Sequence, residues 1–303
     1  MTIGIDLGTT NSLVAYLDSD QPILIPNSRG MVRTPSVVGV DQAGSFLVGV
    51  AAANQVMNHP ERTVKAVKRA MGLRTTLPLG ARRLSPEEVS AAILKVLRQN
   101  ASQFLGDEQT SAVITVPAHF DDHQRFATYE SALLAGFDRV ALLNEPTAAA
   151  LPYAARDTSR ERVVVFDFGG GTLDITALER DGGEFTVRAT AGDGRLGGLD
   201  IDQLVADAIL RRIAHQLGES TVEIPQVQRI ALQQAEQVKI DLSELKVTEV
   251  GVPFLVAGAT PAHVNISMKR SELEEMIAPL IARARDLTRS TVEDAGFNRS
   301  GFD

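Results

Sequence analysis

The sequence predicts an α/β protein built from two related lobes. Residues 3–12 and 164–174 use one device twice: an apolar strand ending in aspartate, a Gly/Thr turn, then a second apolar strand. The first copy reads Ile3-Gly4-Ile5-Asp6-Leu7-Gly8-Thr9-Thr10-Asn11-Ser12. The second reads Val164-Val165-Phe166-Asp167-Phe168-Gly169-Gly170-Gly171-Thr172-Leu173-Asp174. A repeat about 160 residues apart points to two lobes facing each other, not to a short-period solenoid. Strand-like runs and long helical segments also follow one another through all 303 residues. That length suffices for two ordinary domains or one large two-lobed one.

In chain order, residues 2–17 read as a β-hairpin around a turn at 6–11. A second strand-like pair is expected at 23–25 and 36–40, broken by Asn27-Ser28-Arg29-Gly30. Ser85-Pro86-Glu87-Glu88 starts a helix, with a serine cap, proline in the first helical position and glutamate three residues after the cap. It is expected to run to about 104, with Val89, Ile93 and Val96 on one face. The unbroken apolar run 112–116, stopped by Pro117, reads as a buried strand. A helix from about 122 to 135, a short strand at 140–143 and a helix after Pro146 follow. The polar stretch 156–161 is the candidate boundary between lobes. Beyond it, 163–168 and 173–178 read as strands around a glycine-rich turn. Helices at about 199–217 and 227–242, strands near 247–255 and 264–268, and a last helix at about 271–295 complete the pattern.

Composition narrows the function. Hydrophobic residues make up 44% and charged residues 22%, the balance of a soluble globular protein. A net charge of -8 argues against a general nucleic-acid binder, which would show a basic face. There are no cysteines, which excludes a disulfide framework, a thiolate metal site and a cysteine nucleophile. Neither a signal-peptide pattern at Met1 nor an apolar run of membrane-spanning length is present, so a cytoplasmic location is expected.

The two turns carry the chemistry. Glycines let the backbone approach an anion, and successive N–H groups then point at phosphate oxygens. Hydroxyls of Thr9, Thr10 and Thr172 add donors, and the strand-ending Asp6 and Asp167 suit Mg²⁺ held mostly through waters. Two ordinary glycine hairpins are the alternative; the like placement of aspartate in both favours a grip on phosphate from two sides. No G-x-x-x-x-G-K-[ST] occurs, which argues against a P-loop ATPase. A literal G-x-G-x-x-G stands at Gly192, Gly194 and Gly197, after a strand and before a helix. A dinucleotide fold would next need a parallel strand ending in an acid, whereas another helix follows here. A loop closing over phosphates, with Gly197 and Gly198 allowing close approach, suits the pattern better.

With Asn144-Glu145-Pro146-Thr147-Ala148-Ala149-Ala150 beside the two turn segments, the chain resembles the seventy-kilodalton heat-shock chaperones along essentially its whole length. The resemblance implies an actin-like, ribonuclease-H-like ATPase fold of two lobes around a nucleotide cleft. Lobe I would span 1–157 with an outer subdomain at about 36–105, and lobe II 158–303 with an outer subdomain at about 198–295. The stretch between Gly72 and Ser85 is short, which is similar to the smaller HscC-type branch.

The resemblance also implies roles for residues. Lys68 matches the lysine that orients the attacking water and stabilises charge on the γ-phosphate. Lys65, Lys68 and Arg69 read alone make a solvated helix face, and the family pattern lifts only Lys68 from it. Asp6 and Asp167 match magnesium-water ligands, Glu145 the acid that senses the metal shell, and Thr172 the hydroxyl beside the γ-phosphate. Asp174 matches a contact to a monovalent cation such as K⁺. Gly8, Thr9, Thr10, Asn11, Gly169, Gly170, Gly171, Gly197 and Gly198 would hold the nucleotide phosphates. Glu236, Lys239 and Ser243, on one helix face at i, i+3 and i+7, match the residues that hold adenosine. Pro117 and Arg125 match a pair that relays nucleotide state, although His119 stands where the family usually has tyrosine. Leu199 likewise replaces a usual glutamate.

The activity implied is slow ATP hydrolysis that times the binding and release of client peptides. ATP or ADP and Mg²⁺ are the expected ligands, and a J-domain co-chaperone and a nucleotide exchange factor the expected partners. Neither nucleic acid nor membrane is expected as a partner. The chain ends at Asn298-Arg299-Ser300-Gly301-Phe302-Asp303. In the resemblance this precedes a strand and the glycine turn that walls the adenosine pocket, the interdomain linker and the peptide-binding domain. Losing one stacked base face, worth about 1–3 kcal/mol, would weaken ATP binding about ten- to hundred-fold. A non-hydrolysing nucleotide sensor or assembly factor, and a sugar or acetate kinase of the same fold, are the competing readings.

Overall fold

The computed structural model of the chain describes residues 1–154, 161–181, 184–252 and 264–297. These fall into two units, one of residues 1–194 with 287–303, the other of residues 195–286. The expected lobe boundary at 157 and the C-terminal residues 298–303 lie outside the described residues.

The first unit opens on the hairpin read from the sequence. Strand β1 (Thr2–Asp6) pairs antiparallel with β2 (Asn11–Asp18). Ser19 and Asp20 then adopt positive φ of 50° and 65°, the left-handed pair that closes a two-residue hairpin. It returns β3 (Gln21–Leu24) onto β2. The expected pairing of 23–25 with 36–40 is therefore corrected: both strands exist, with other partners. The loop between them closes on itself instead, because Asn27 Oδ1 accepts from the Arg29 and Met31 amides at 2.9 and 3.2 Å.

Strand β4 (Thr34–Pro35) adds to β2, while β5 (Val37–Val40) is the centre of a second sheet, between β6 (Phe46–Val48) and β7 (Thr63–Lys65). Helix α1 (Val50–Gln55) links β6 to β7, and β8 (Leu77–Leu79) and β9 (Arg82–Leu84) form a small hairpin. Helix α2 (Pro86–Leu105) begins as read: Ser85 Oγ accepts from the Glu88 amide, and the Glu88 carboxylate accepts from the Ser85 amide. Its inner face buries Val89, Ile93, Leu94, Leu97 and Ala101.

Strand β10 (Ser111–Val116) lies parallel to β1 and to β11 (Arg139–Asn144), with helix α3 (Asp122–Leu134) as crossover. The main sheet thus runs β11-β10-β1-β2-β3. Ile3, Ile5, Ile114, Ile93 and Leu94 are fully buried in one core cluster, each side chain contributing about 1.5–3 kcal/mol of transfer free energy. Helix α4 (Glu145–Ala154) starts directly where β11 ends. Strands β12 (Glu161–Phe168), β13 (Leu173–Asp181) and β14 (Glu184–Asp193) make an antiparallel sheet in that order.

The second unit carries α5 (Gly198–Leu217), the short α6 (Glu219–Val222) and α7 (Pro225–Glu244). The hairpin β15 (Val247–Val252) and β16 (Val264–Lys269) and the start of α8 (Arg270–Asp294) follow. Residues 253–255 of the expected strand lie outside the described residues. The two strands alternate buried and exposed residues, so Val250, Val252, Ile266 and Met268 meet Val205, Ile209, Val238 and Leu242 of the helices.

Candidate functional site

The two glycine turns sit at the ends of sheet strands and are fixed from beneath. In the first, Ser36 Oγ donates to the Gly8 carbonyl at 2.7 Å, and the Ser36 amide donates to the Thr10 carbonyl at 2.8 Å. The buried hydroxyls of Ser12 and Ser36 lie 2.9 Å apart. In the second, the Gly169 amide donates to the Thr172 carbonyl at 2.9 Å. Asp167 and Asp174 stand opposite each other across β12 and β13. The turns also touch. A Cβ on Gly170 would overlap the Thr10 side chain, and one on Gly171 the Thr9 side chain. Glycine is needed there because the two turns approach each other closely.

Between the turns lies a cavity of about 450 Å³. It is lined by Asp6, Gly8, Thr9, Thr10 and Asn11 of the first turn and by Asp167, Gly169, Gly170 and Thr172 of the second. Lys68, Thr115, Glu145, Ala148 and Ala149 complete the wall. Most of the residues singled out in the sequence therefore come together. Gly171 lies just behind, buried against Thr9.

The solvated helix face read for Arg69 is corrected, because a tight 3-10 turn, Val67–Ala70, follows β7. Ala66 enters it with φ of 53°, a left-handed conformation that disfavours a residue carrying Cβ. Lys68 is buried, and its Nζ lies 2.5 Å from Glu145 Oε1 at the start of α4. Arg69 donates from Nε at 2.8 Å and from Nη2 at 2.5 Å to the Gly171 carbonyl. One turn of the outer sheet thus holds both the helix that follows β11 and the second glycine turn.

Burial raises the Glu145 carboxyl above its ordinary range, against the opposing pull of Lys68 and with smaller help from Asp6 and Asp174. Burial also raises Asp167, reinforced by Asp174, opposed by Lys68 and reinforced again by Asp6. Carboxylates crowded around a small cavity with one ammonium leave a surplus of negative charge, and a divalent cation suits such a surplus. Among the described residues no three His, Cys, Asp or Glu side chains converge as a direct ligand set. Asp6 and Asp167 of the cavity wall could hold a magnesium ion through its water shell.

Asp174 stands behind the turns and not in the cavity wall. It is 2% exposed, and its Oδ1 lies 2.7 Å from His119 Nδ1. Its Oδ2 is buried and has no hydrogen-bond partner among the described residues. Gly192 faces Asp174 across β13 and β14, and a Cβ there would strike the His119 ring. Pro117 ends β10, and its carbonyl accepts from the Phe120 amide at 3.2 Å. Arg125 on α3 donates to Asn144 Oδ1 at 2.9 Å, the residue next to Glu145.

The remaining expected residues belong to the second unit. Glu236, Lys239 and Ser243 share a face of α7, as their spacing requires. Lys239 Nζ lies 2.6 Å from Asp202 Oδ1 on α5 and donates to the Gly198 carbonyl at 3.3 Å. Ser243 Oγ donates back to the Lys239 carbonyl at 3.1 Å, while Glu236 is exposed. Gly197 precedes α5, and its amide donates to Asp200 Oδ2 at 2.8 Å. Leu199 lies in the first turn of α5.

Sequence reasoning missed Arg69, Ser12, Ser36 and Thr115. A basic or hydroxyl side chain carries no local sign of a partner some 24 to 109 positions away, which is how far Ser36, Arg69 and Thr115 reach.

The family model for the Hsp70 protein matches residues 2–79 and 74–303. The two segments meet at 74–79, inside the short stretch between Gly72 and Ser85. The chaperone protein DnaK of Methanothermobacter thermautotrophicus is 39% identical over 307 residues, covering 99% of this chain and 52% of that protein. The chain spans about half the length of the curated relative it matches. The family match carries with it the actin-like, ribonuclease-H-like ATPase fold expected from the sequence.

Proposed function

Because the chain belongs to the Hsp70 family, we propose that it is the ATP-binding and slowly ATP-hydrolysing module of a molecular chaperone, driving client-peptide binding and release in the parent protein. The observation that carries this reading is the contact of two glycine turns over a carboxylate-lined cavity beside the Lys68–Glu145 pair. Such a site works by positioning and electrostatics, without a covalent intermediate.

In this reading the amides of Gly8–Asn11 and Gly169–Thr172, with the hydroxyls of Thr9, Thr10 and Thr172, grip the phosphates. Lys68 stabilises charge on the γ-phosphate and orients the attacking water, and Glu145 fixes Lys68 in place. Asp6 and Asp167 hold hydrated magnesium, which when bound neutralises phosphate charge. Asp174, with an unpartnered oxygen, is the candidate contact for a monovalent cation. Gly197, Gly198, Glu236, Lys239 and Ser243 are assigned to the nucleotide's other end, and Pro117 and Arg125 to relaying its state through Asn144. No helix among the described residues is long and apolar enough to cross a membrane; a cytoplasmic site of action is part of the proposal. So are a J-domain co-chaperone and a nucleotide exchange factor as partners.

Calorimetric titration with ATP, ADP and AMP in the presence of Mg²⁺ tests the assignment. Two turns aimed at phosphate predict saturable binding of ATP and ADP and at least about tenfold weaker binding of AMP. Equal binding of all three, or of none, would refute it. Transfer of phosphate to a sugar or acetate would instead identify a kinase.

A further inference from the structure

A second cavity, of about 540 Å³, lies in the first unit and shares no lining residue with the cavity between the turns. One wall is the outer face of α2, where Ala92, Lys95 and Val96 repeat at helical spacing. Strands β6 and β9 supply the facing wall, with Phe46 and Arg82 at its lip. The floor is firm, because Val48, Leu84 and Ala92 also pack on the central core cluster. The lip is open and apolar: Phe46 remains 45% exposed and Leu134, at the end of α3, 61% exposed.

The charges around this groove are unbalanced. The Arg82 guanidinium lies over the Phe46 ring, 5.8 Å from its centroid, and has no carboxylate partner among the described residues. Lys95 is exposed and likewise without one. Glu88, the acid on the rim, is engaged by the Ser85 amide in the helix cap at 2.8 Å. Two unneutralised cations over an apolar floor stand out in a chain of net charge -8. Grooves of about 300–1,000 Å³ with an apolar lining and few polar groups are the usual form of small-molecule sites.

We propose that this groove binds a small amphiphilic organic anion, an aromatic or medium-chain carboxylate. Its apolar body lies along Phe46, Leu84 and Val96, and its carboxylate meets Arg82 and Lys95. A guanidinium presents paired donors that match a carboxylate, and attraction to a cation strengthens such bonds. The proposal is independent of the nucleotide reading.

Titration of the whole chain with 4-phenylbutyrate, followed by amide NMR shifts and calorimetry, tests it against the neutral 4-phenylbutanol. The expected result is saturable binding with shifts at Phe46, Ala92 and Val96, and about tenfold weaker binding of the alcohol. Arg82→Glu with Lys95→Glu should abolish binding, and Phe46→Ala should weaken it, with melting temperatures unchanged because all three side chains are surface groups. Equal binding of acid and alcohol, undiminished binding in the doubly charge-reversed variant, no saturation at millimolar ligand, or shifts confined to the cavity between the turns would each overturn the proposal.

Discussion

Lys68 and Arg69 are sequence neighbours that serve different partners, Glu145 and the Gly171 carbonyl. Replacing Lys68 by Met leaves the Glu145 carboxylate buried without its cation, and should cost about 3 kcal/mol in denaturant melts near neutral pH. The deficit should shrink as pH falls, because protonating Glu145 removes the buried charge. Arg69→Ala should speed amide exchange at Gly169, whose amide donates to the Thr172 carbonyl of the same turn, by about ten- to hundred-fold, the range for a lost charge-assisted hydrogen bond. Arg69→Lys should restore only part of the protection, since an ammonium cannot reproduce the paired donors. Asp167 shares the direction of the pH dependence with Glu145, but here substitution removes the costly carboxyl itself. Its folded carboxyl is raised above the unfolded value, so the folded state holds its proton to higher pH. Stability therefore falls as pH rises through that window, and the loss is complete above the folded pKa. Asp167→Asn should melt higher than wild type at neutral pH and match it in acid below the ordinary carboxylate range. That pattern, a residue kept against stability, is expected where a side chain serves a ligand.

Strands and helices show which signals are local. The start of α2 was legible because all its parts lie within four residues, and Ser85→Ala should lower stability by about 1 kcal/mol in thermal melts. Buried β10 was legible from its apolar run before Pro117. Pairing was not: 23–25 and 36–40 both form strands, yet the positive φ of Ser19 and Asp20 turns the first back onto β2. The tight turn Val67–Ala70 escaped for a similar reason, since an alanine with φ of 53° leaves no mark in its residue type. The candidate site was legible where chemistry and spacing coincide, in the two Asp–Gly–Thr turns, whereas Glu145 was implied by the family resemblance alone. The site's bracing by Ser36 and Arg69 depends on contacts distant in sequence.

At the scale of the molecule, residues 195–286 have a core of their own, in which Val205, Ile209, Val238, Val252, Ile266 and Met268 are at most 1% exposed. A segment with its own buried core is expected to fold alone, so the excised piece should show helical circular dichroism and a cooperative melt. A broad, gradual melt would argue against that independence. ATP hydrolysis is proposed for the cavity between the glycine turns. Phosphate release in a single turnover with Mg²⁺, compared between wild type and Asp167→Asn, tests it most directly, because this variant is predicted to be well folded. The account predicts slow release from wild type and about a hundredfold loss in the variant, roughly 2.7 kcal/mol of transition-state stabilisation. Equal release from both, or none from wild type, would contradict it.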